Sequence, residues 1–427
     1  MNRRLPILSR RQMLIGASGG IASLLASRFL SHDAFAATTA AGAATTKSPK
    51  AKACIVLWLN GGPSHIDTFD PKPGGPTARF KAIKTRAPQI QLSEHLPLLA
   101  EQADKIAVIH SMSSKEGNHD RARYFVHTGY SPNPTIQHPS LGGWVAEEVG
   151  SKSADLPNFV SIGGPSIGAG FLGKEYGPFI VQNASLPPQN VAFFHDVDDA
   201  RFHDREGLLD DLEGKFYAQN ADKQVEGRRA VYDESMRMMH TPKLAAFDIS
   251  KETEATRAMY GDSDFGRGCL VARRLIENGV RVVEVVLDGW DTHTDNFERT
   301  KKLMGMLDPA FSGLLKDLTQ RKLLGSTLVA CMGEFGRTPT INGNDGRDHY
   351  PQVWSATLAG GGIRGGMAYG KTDDAGAKIV EKSTTVQNLM ATMTTQLGLN
   401  PDKSVTTPIG RPISITDNGV AMKELVV

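Results

Sequence analysis

Short apolar runs, each cut off by a polar or glycine-rich turn, recur along the chain from residue 53 onward. Residues 53–59 are apolar and β-prone and stop at Asn60-Gly61-Gly62-Pro63, which predicts a buried parallel strand. Residues 105–110 and 156–162 predict two more, the second closed by Gly163-Gly164-Pro165. Residues 265–277 have helical spacing and end at Asn278-Gly279, a glycine stop, after which residues 280–287 read as a strand. Leu303, Met306, Leu307, Phe311, Leu314, Leu315 and Leu318 place a helix over 297–318, interrupted only by Pro309, and 327–332 is the next strand. A last amphipathic helix carries Val386, Leu389, Met390, Met393 and Leu397 and stops at Gly398.

Strands alternating with helices predict an α/β fold with a mostly parallel central sheet covered on both faces. The segment 195–261 departs from that rhythm. It is charged and helix-prone around Leu208, Leu209, Leu212 and Phe216, with no convincing strand, and is expected to form a helical insertion on the main domain. No internal repeat is apparent.

The N-terminus reads as an address. Ser9-Arg10-Arg11-Gln12-Met13-Leu14-Ile15 sets paired arginines before a mildly apolar run, and Ala34-Phe35-Ala36 supplies the small residues at which a leader is cut. Residues 1–36 are therefore expected to be a twin-arginine export signal, making the translocase a transient partner and the periplasm or exterior the destination. A membrane anchor is the other reading, but glycine and serine dilute residues 13–25, and Arg28 ends the run short of the ~20 apolar residues that a span needs. Residues 37–52 are Ala/Thr-rich and read as a flexible tether, leaving 53–427 as the folded domain.

Losing the leader changes the charge argument. Five arginines and Asp33 leave with it, so a formal net charge of +2 becomes −2. With no basic stripe and no interleaved aromatics, nucleic acid is not an expected partner. The only cysteines are Cys54, Cys269 and Cys331, an odd set that builds no disulfide framework; Cys54 and Cys331 fall inside strand-like runs and read as buried thiols.

Candidate chemistry clusters where the apolar runs end. After the first strand come His65, Asp67 and Asp70, one imidazole and two carboxylates in a glycine-rich turn; the acids read equally as turn caps before Pro71. Ser64 lacks the G-x-S-x-G elbow of a serine hydrolase. Asn118-His119-Asp120-Arg121-Ala122-Arg123 opens a helix whose positive end and arginines suit a phosphoryl or sulfuryl oxygen, with Arg121 also readable as a solvated charge. Asp291 and His293 lie two apart in Trp290-Asp291-Thr292-His293 and share one side of an extended segment, as two ligands of one metal require; a capping Asp with a surface His is the plainer reading. Glu334 between two glycines can ligate or act as a base, Arg337 can clamp an anion, and Asp348-His349 follows a glycine-rich loop able to fold back over the strand ends. Such donors suit zinc or manganese where imidazoles dominate, and calcium or magnesium where oxygens do.

Taken together, the 60–70 block with Pro71-Lys72-Pro73, His138-Pro139-Ser140-Leu141-Gly142, Trp290-Asp291-Thr292-His293, Gly333 to Pro339 and Gly346-Arg347-Asp348-His349-Tyr350-Pro351 resemble the bacterial family called domain of unknown function 1501, over residues 53–427. That family is similar to the alkaline phosphatase and sulfatase superfamily. The resemblance implies an alkaline phosphatase-like three-layer sandwich, a divalent metal (zinc, manganese or calcium) at the strand ends, and hydrolysis of phosphate or sulfate esters. It implies Asn60, His65, Asp67, Asp291, His293, Glu334, Asp348 and His349 as the ligand set, Arg123 and Arg337 as anion clamps, and His119 as nucleophile, ligand or acid/base. Three positions depart from the superfamily pattern. Asn60 stands where the first strand carries a metal-binding Asp, His119 where sulfatases carry the residue that becomes formylglycine, and Phe335 where a His follows the late carboxylate. Those departures motivate a second expectation, an exported binding protein for sulfated or phosphorylated polymers, or for a partner protein, without turnover.

Overall fold

The computed structural model describes residues 50–427 except 190, 194 and 220–222, so the predicted leader and all but the end of the predicted tether lie outside the described residues. The central sheet has nine strands. In chain order they are β1 (Ala53–Asn60), β2 (Ile106–Ser113), β3 (Phe159–Ile162), β4 (Phe179–Val181), β5 (Val282–Asp288), β6 (Thr327–Met332), β7 (Trp354–Ala359), β8 (Met367–Tyr369) and β9 (Thr384–Thr385). Their spatial order is β8-β2-β7-β6-β1-β5-β3-β4, with β9 also on β2. All run parallel except β7, which is antiparallel to both β2 and β6.

Helices cover both faces, which is why β1 is apolar at every step. Ile55, Leu57 and Leu59 enter one core and Cys54, Val56 and Trp58 the other, as alternation along a strand requires. The longer helices are α1 (His119–Thr128), α2 (Leu141–Glu148), α3 (Asp199–Gln219), α4 (Lys223–His240), α5 (Asp264–Glu277), α6 (Asn296–Gln320) and α7 (Val386–Gln396). Phe265, Cys269 and Leu275 of α5 and Leu307, Phe311 and Leu314 of α6 fill the first core. Phe125 of α1, Trp144 of α2 and Leu389, Met390 and Met393 of α7 fill the second. The result is an α/β three-layer sandwich. Side chains of Asn118, Ser140, Ser263 and Thr385 cap α1, α2, α5 and α7 by accepting from first-turn amides.

Three details differ from the sequence pattern. Helix α6 runs unbroken through Pro309, because Leu307, Phe311 and Leu314 are fully buried around it and tertiary packing overrides the local penalty. Strand β7 is not marked by the hydrophobic pattern, since Ser355 and Thr357 sit in it, yet every residue of it is buried. The strand expected from 156 begins only at Phe159, beyond Pro157, which has no amide proton to give. Between residues 195 and 261 the described residues form α3, α4 and shorter helical turns, with no strand among them. No helix among the described residues is long and apolar enough to cross a membrane.

Candidate metal centre

The carboxyl ends of β1, β2, β5 and β6 share one edge of the sheet, and the loops leaving them carry most of the polar motifs, as is usual in open α/β sheets. His119 opens α1 beyond β2, Asp291 and His293 follow β5, and Glu334 follows β6. His349 arrives from the loop that turns back, because residues Gly336–Arg337 and His349–Tyr350 form a two-stranded antiparallel ladder pairing His349 with Arg337. Ligand atoms of His119, Asp291 and His349 lie within 4.8 Å of one another.

Asp291 Oδ1 is the focus. His293 Nδ1 stands 2.7 Å from it, Arg337 Nη2 2.6 Å, His119 Nε2 3.4 Å and His349 Nε2 3.6 Å. Burial alone would raise the Asp291 carboxyl, but the hydrogen bond and charge of Arg337, with His119 and His293, hold it at about 2. The two imidazoles that point inward are fixed from behind. His119 Nδ1 donates to Glu334 Oε1 at 2.7 Å, and His349 Nδ1 donates to the Gly117 carbonyl at 2.8 Å. Each therefore presents Nε2 and its lone pair to the common point when neutral, the tautomer control that metal-ligating histidines use. Burial pulls both imidazoles down. For His349 that effect wins, whereas Glu334 and Asp291 carry His119 above its ordinary value, so a cation there competes with a proton.

Three buried atoms in this cluster have no hydrogen-bond partner: His119 Nε2, His349 Nε2 and Glu334 Oε2. Buried polar atoms are seldom left alone, and the two imidazole nitrogens that converge beside Asp291 mark a place for a ligand. The ring of Phe335 packs against both histidines, its centroid 4.9 Å from that of His119 and 4.6 Å from that of His349, and closes one wall.

The remaining positions read as ligands or clamps have other work. Asp67 is buried and bound by Arg347, at 2.8 Å from Nε and 3.2 Å from Nη2, and accepts from Asn296 Nδ2 at 2.9 Å, so its carboxylate is engaged by these two side chains. His65, also buried, meets the Gly376 carbonyl through Nε2 at 2.8 Å. Asn60 donates to Asp288 Oδ1 at 2.9 Å. Arg337, read as an anion clamp, is a strut instead: fully buried, it gives its donors to the carbonyls of Gly61, Gly62 and Arg347 and to Asp291. Arg123 donates to the Pro165 carbonyl and makes no contact with the cluster. Asp348 is exposed, held by Asn342 Nδ2 at 3.0 Å and 4.0 Å from His293 Nε2, at the rim. Glu334 reaches the centre mainly as the group that orients His119, and it also accepts from the Gly61 amide at 2.9 Å. Gly117, whose carbonyl orients His349, carries no signal in the sequence that would reveal it.

One glycine is a geometric requirement. Gly61 has φ +114°, and a Cβ there would sit 2.3 Å from the Asp291 amide nitrogen, so the loops after β1 and β5 approach as closely as they do only because no side chain intervenes.

Among solved structures, the chain is similar to a sulfatase from Pseudoalteromonas sp. (TM-score 0.38, 11% identity, 82% of this chain and 68% of that one). It is also similar to a protein in the alkaline phosphatase superfamily from Vibrio parahaemolyticus (TM-score 0.38, 11% identity, 83% and 68%) and to a phosphonate monoester hydrolase from Silicibacter pomeroyi (TM-score 0.37, 10% identity, 88% and 76%). No curated protein matches. The family model described as "Protein of unknown function (DUF1501)" matches residues 51–426, and the chain belongs to that family.

Proposed function

We propose that this chain is an exported hydrolase of phosphate or sulfate esters that depends on a divalent metal held by His119, Asp291 and His349. The observation that carries the reading is the convergence of those three side chains on one point, with His119 Nε2, His349 Nε2 and Glu334 Oε2 buried and unpartnered beside it. Two imidazoles and a carboxylate are the donor set of many catalytic zinc sites, and three protein ligands leave a coordination position open. Bound there, a divalent cation supplies Lewis acidity toward an ester oxygen and lowers the pKa of a coordinated water.

The chain's own groups do the rest. Arg337 and His293 share the charge of Asp291, Glu334 sets the ring plane of His119, and Phe335 excludes water from one side of the two histidines. His293 is half-exposed, its Nδ1 on Asp291 and its Nε2 toward the open rim near Asp348, and it serves as the proton carrier to a leaving oxygen. With His119 at the position where sulfatases carry formylglycine, the reaction proceeds without that residue. The leader of residues 1–36 places the activity in the periplasm or outside the cell, and the translocase handles the chain in transit.

The test is metal analysis of the protein folded and exported in a host with a twin-arginine pathway, followed by a panel of phosphate and sulfate esters. About one divalent ion per chain, lost together with turnover in His349→Ala, is the expected result. Absence of any stoichiometric metal, or turnover unchanged in His349→Ala, would overturn it.

A further inference from the structure

A cavity of about 610 Å³ is lined in part by residues 113–115, which precede His119 in the chain. Its walls come from four places: the end of β2 and the residues after it, at Ser113, Ser114 and Lys115, the segment around Tyr130 and His138 that follows α1, the start of α7 at Thr385, Gln387 and Asn388, and a C-terminal ladder of Ser404–Thr406 with Pro412–Ser414 that brings Arg411. The volume falls within the ~300–1,000 Å³ of ordinary ligand sites.

The walls are built rather than incidental. Tyr130 stacks on His138 with ring centroids 4.2 Å apart and planes 2° from parallel, and its hydroxyl donates to the Ser414 carbonyl at 2.6 Å, tying the C-terminal ladder to α1. Tyr124 holds His138 from behind, accepting from its amide at 2.6 Å and meeting Nδ1 at 2.9 Å. The backbone of Arg411 is fixed by Thr407, whose hydroxyl accepts from the Arg411 amide at 3.1 Å and donates to its carbonyl at 2.9 Å.

Two observations identify the kind of ligand. Lys115 and Arg411 both line the cavity together with one acid, Asp417, and neither cation has a carboxylate within ion-pairing distance among the described residues, whereas Glu116 next door is fully taken by Arg121 at 2.7 Å to each oxygen. Two cations against one carboxylate leave the cavity with an excess of positive charge, which favours an anion. The rest of the lining is mixed: Ser131, Asn133, Thr385, Gln387 and Asn388 bring hydroxyls and amides, Phe125, Ile136 and Ile413 bring apolar surface beside the aromatic Tyr130, and Asp417 brings one carboxylate, which accepts from Gln387 Nε2 at 3.4 Å. A small inorganic anion uses neither the space nor those groups. A ligand with many hydroxyls, flat apolar ring faces and a few negative substituents uses all of them.

We propose that this cavity is a recognition site for an anionic oligosaccharide, with charged substituents on Lys115 and Arg411 and a ring face against Tyr130. Lys115 is four residues from His119, which bounds their Cα separation at roughly 14 Å. A chain of sugars seated in the cavity therefore lies within reach of the metal centre, but the site stands whether or not that centre turns over an ester.

Titration calorimetry on the exported full chain tests it, using a sulfated hexasaccharide, its desulfated counterpart and inorganic sulfate as probes. Saturable binding of the sulfated sugar is expected, weakened about tenfold or more in Lys115→Glu/Arg411→Glu and by desulfation, and retained in His349→Ala. Both substituted side chains are exposed, so folding is not at risk, and Lys115→Arg/Arg411→Lys restores binding. The proposal is overturned by absence of saturable binding, by equal binding of the desulfated sugar, by full binding in the charge-reversed variant, by loss in His349→Ala, or by inorganic sulfate alone binding as well as the sulfated hexasaccharide.

Discussion

Replacing Asp67 and Asp291 in turn separates an acid that holds the fold from one proposed to hold a metal. Asp67 and Arg347 are both essentially inaccessible, at 1% and 0% side-chain exposure, and face each other at 2.8 Å. Asp67→Ala leaves the Arg347 guanidinium, which keeps the carbonyls of Thr77, Thr338 and Pro339, buried without its counter-charge, and also removes the acceptor for Asn296 Nδ2, changes that typically cost ~3–5 kcal/mol. Asp291→Ala likewise leaves a buried guanidinium, that of Arg337, on three carbonyl acceptors, but the carboxylate removed is 48% exposed and water can take its place, so the expected cost is smaller, about 1 kcal/mol after solvent screening. Metal content runs the other way. Folded Asp67→Ala keeps its ion, and Asp291→Ala loses it. Urea unfolding combined with metal analysis on both variants measures the crossover. If Asp67→Ala unfolds like the parent but binds no metal, the division between anchor and ligand collapses, and Asp67 returns to the ligand set.

Further outcomes follow from the same geometry. Chelation is expected to lower the unfolding midpoint of the parent but not of His349→Ala or Asp291→Ala, since an ion at 100 times its dissociation constant stabilises by ~2.7 kcal/mol; equal shifts in all three proteins would contradict the site. Gly61→Ala is expected to push the Asp291 backbone away and to reduce metal affinity more than stability, checked by metal titration against urea unfolding. The Asp70 carboxyl feels burial, which would raise it, but His110, Lys72 and His65 outweigh that and hold it below its ordinary value. Its stabilising contribution is thus present above the unfolded value of ~3.9 and lost as pH falls through the lower folded one, so stability between about pH 5 and 2 is expected to decline less steeply in Asp70→Asn than in the parent. Burial pushes the Cys54 thiol up to about 12 and raises Cys269 and Cys331 as well; none is expected to react with a thiol reagent until the chain unfolds.

The elements that build the platform were legible because their pattern is redundant. A strand buried on both faces, such as β1 or β6, is apolar at nearly every position, and an amphipathic helix such as α5 repeats its period several times. Strand β7 was not legible because its serine and threonine look like surface residues until neighbours on both sides bury them. The position of the site at the strand ends was also visible, since motif after motif begins where an apolar run stops. The division of labour among its residues was not. Asp67 and Asp291 both sit in turns just past a strand, and Arg337 and Arg123 both belong to polar motifs that follow one, so residue type and spacing describe them alike.

What separates them is the partner each finds across a long sequence distance. Arg347 is 280 residues from Asp67, and its guanidinium also spans the carbonyls of Thr77, Thr338 and Pro339, so one buried cation staples the loops after β1 and β6 together and consumes a carboxylate in doing so. Arg337 joins the turn at Gly61 and Gly62 to the loop of Arg347 in the same way but reaches Asp291 from one side only, leaving that carboxylate half in solvent with three imidazoles around it. Two buried arginines thereby hold the loops in place while a different acid stays free for a ligand. In a site assembled from loops, stiffness has to come from groups whose valences are filled, and reactivity from groups whose valences are not. The unfilled ones here are Nε2 of His119 and Nε2 of His349, which converge on Asp291, with Glu334 Oε2 left free behind His119.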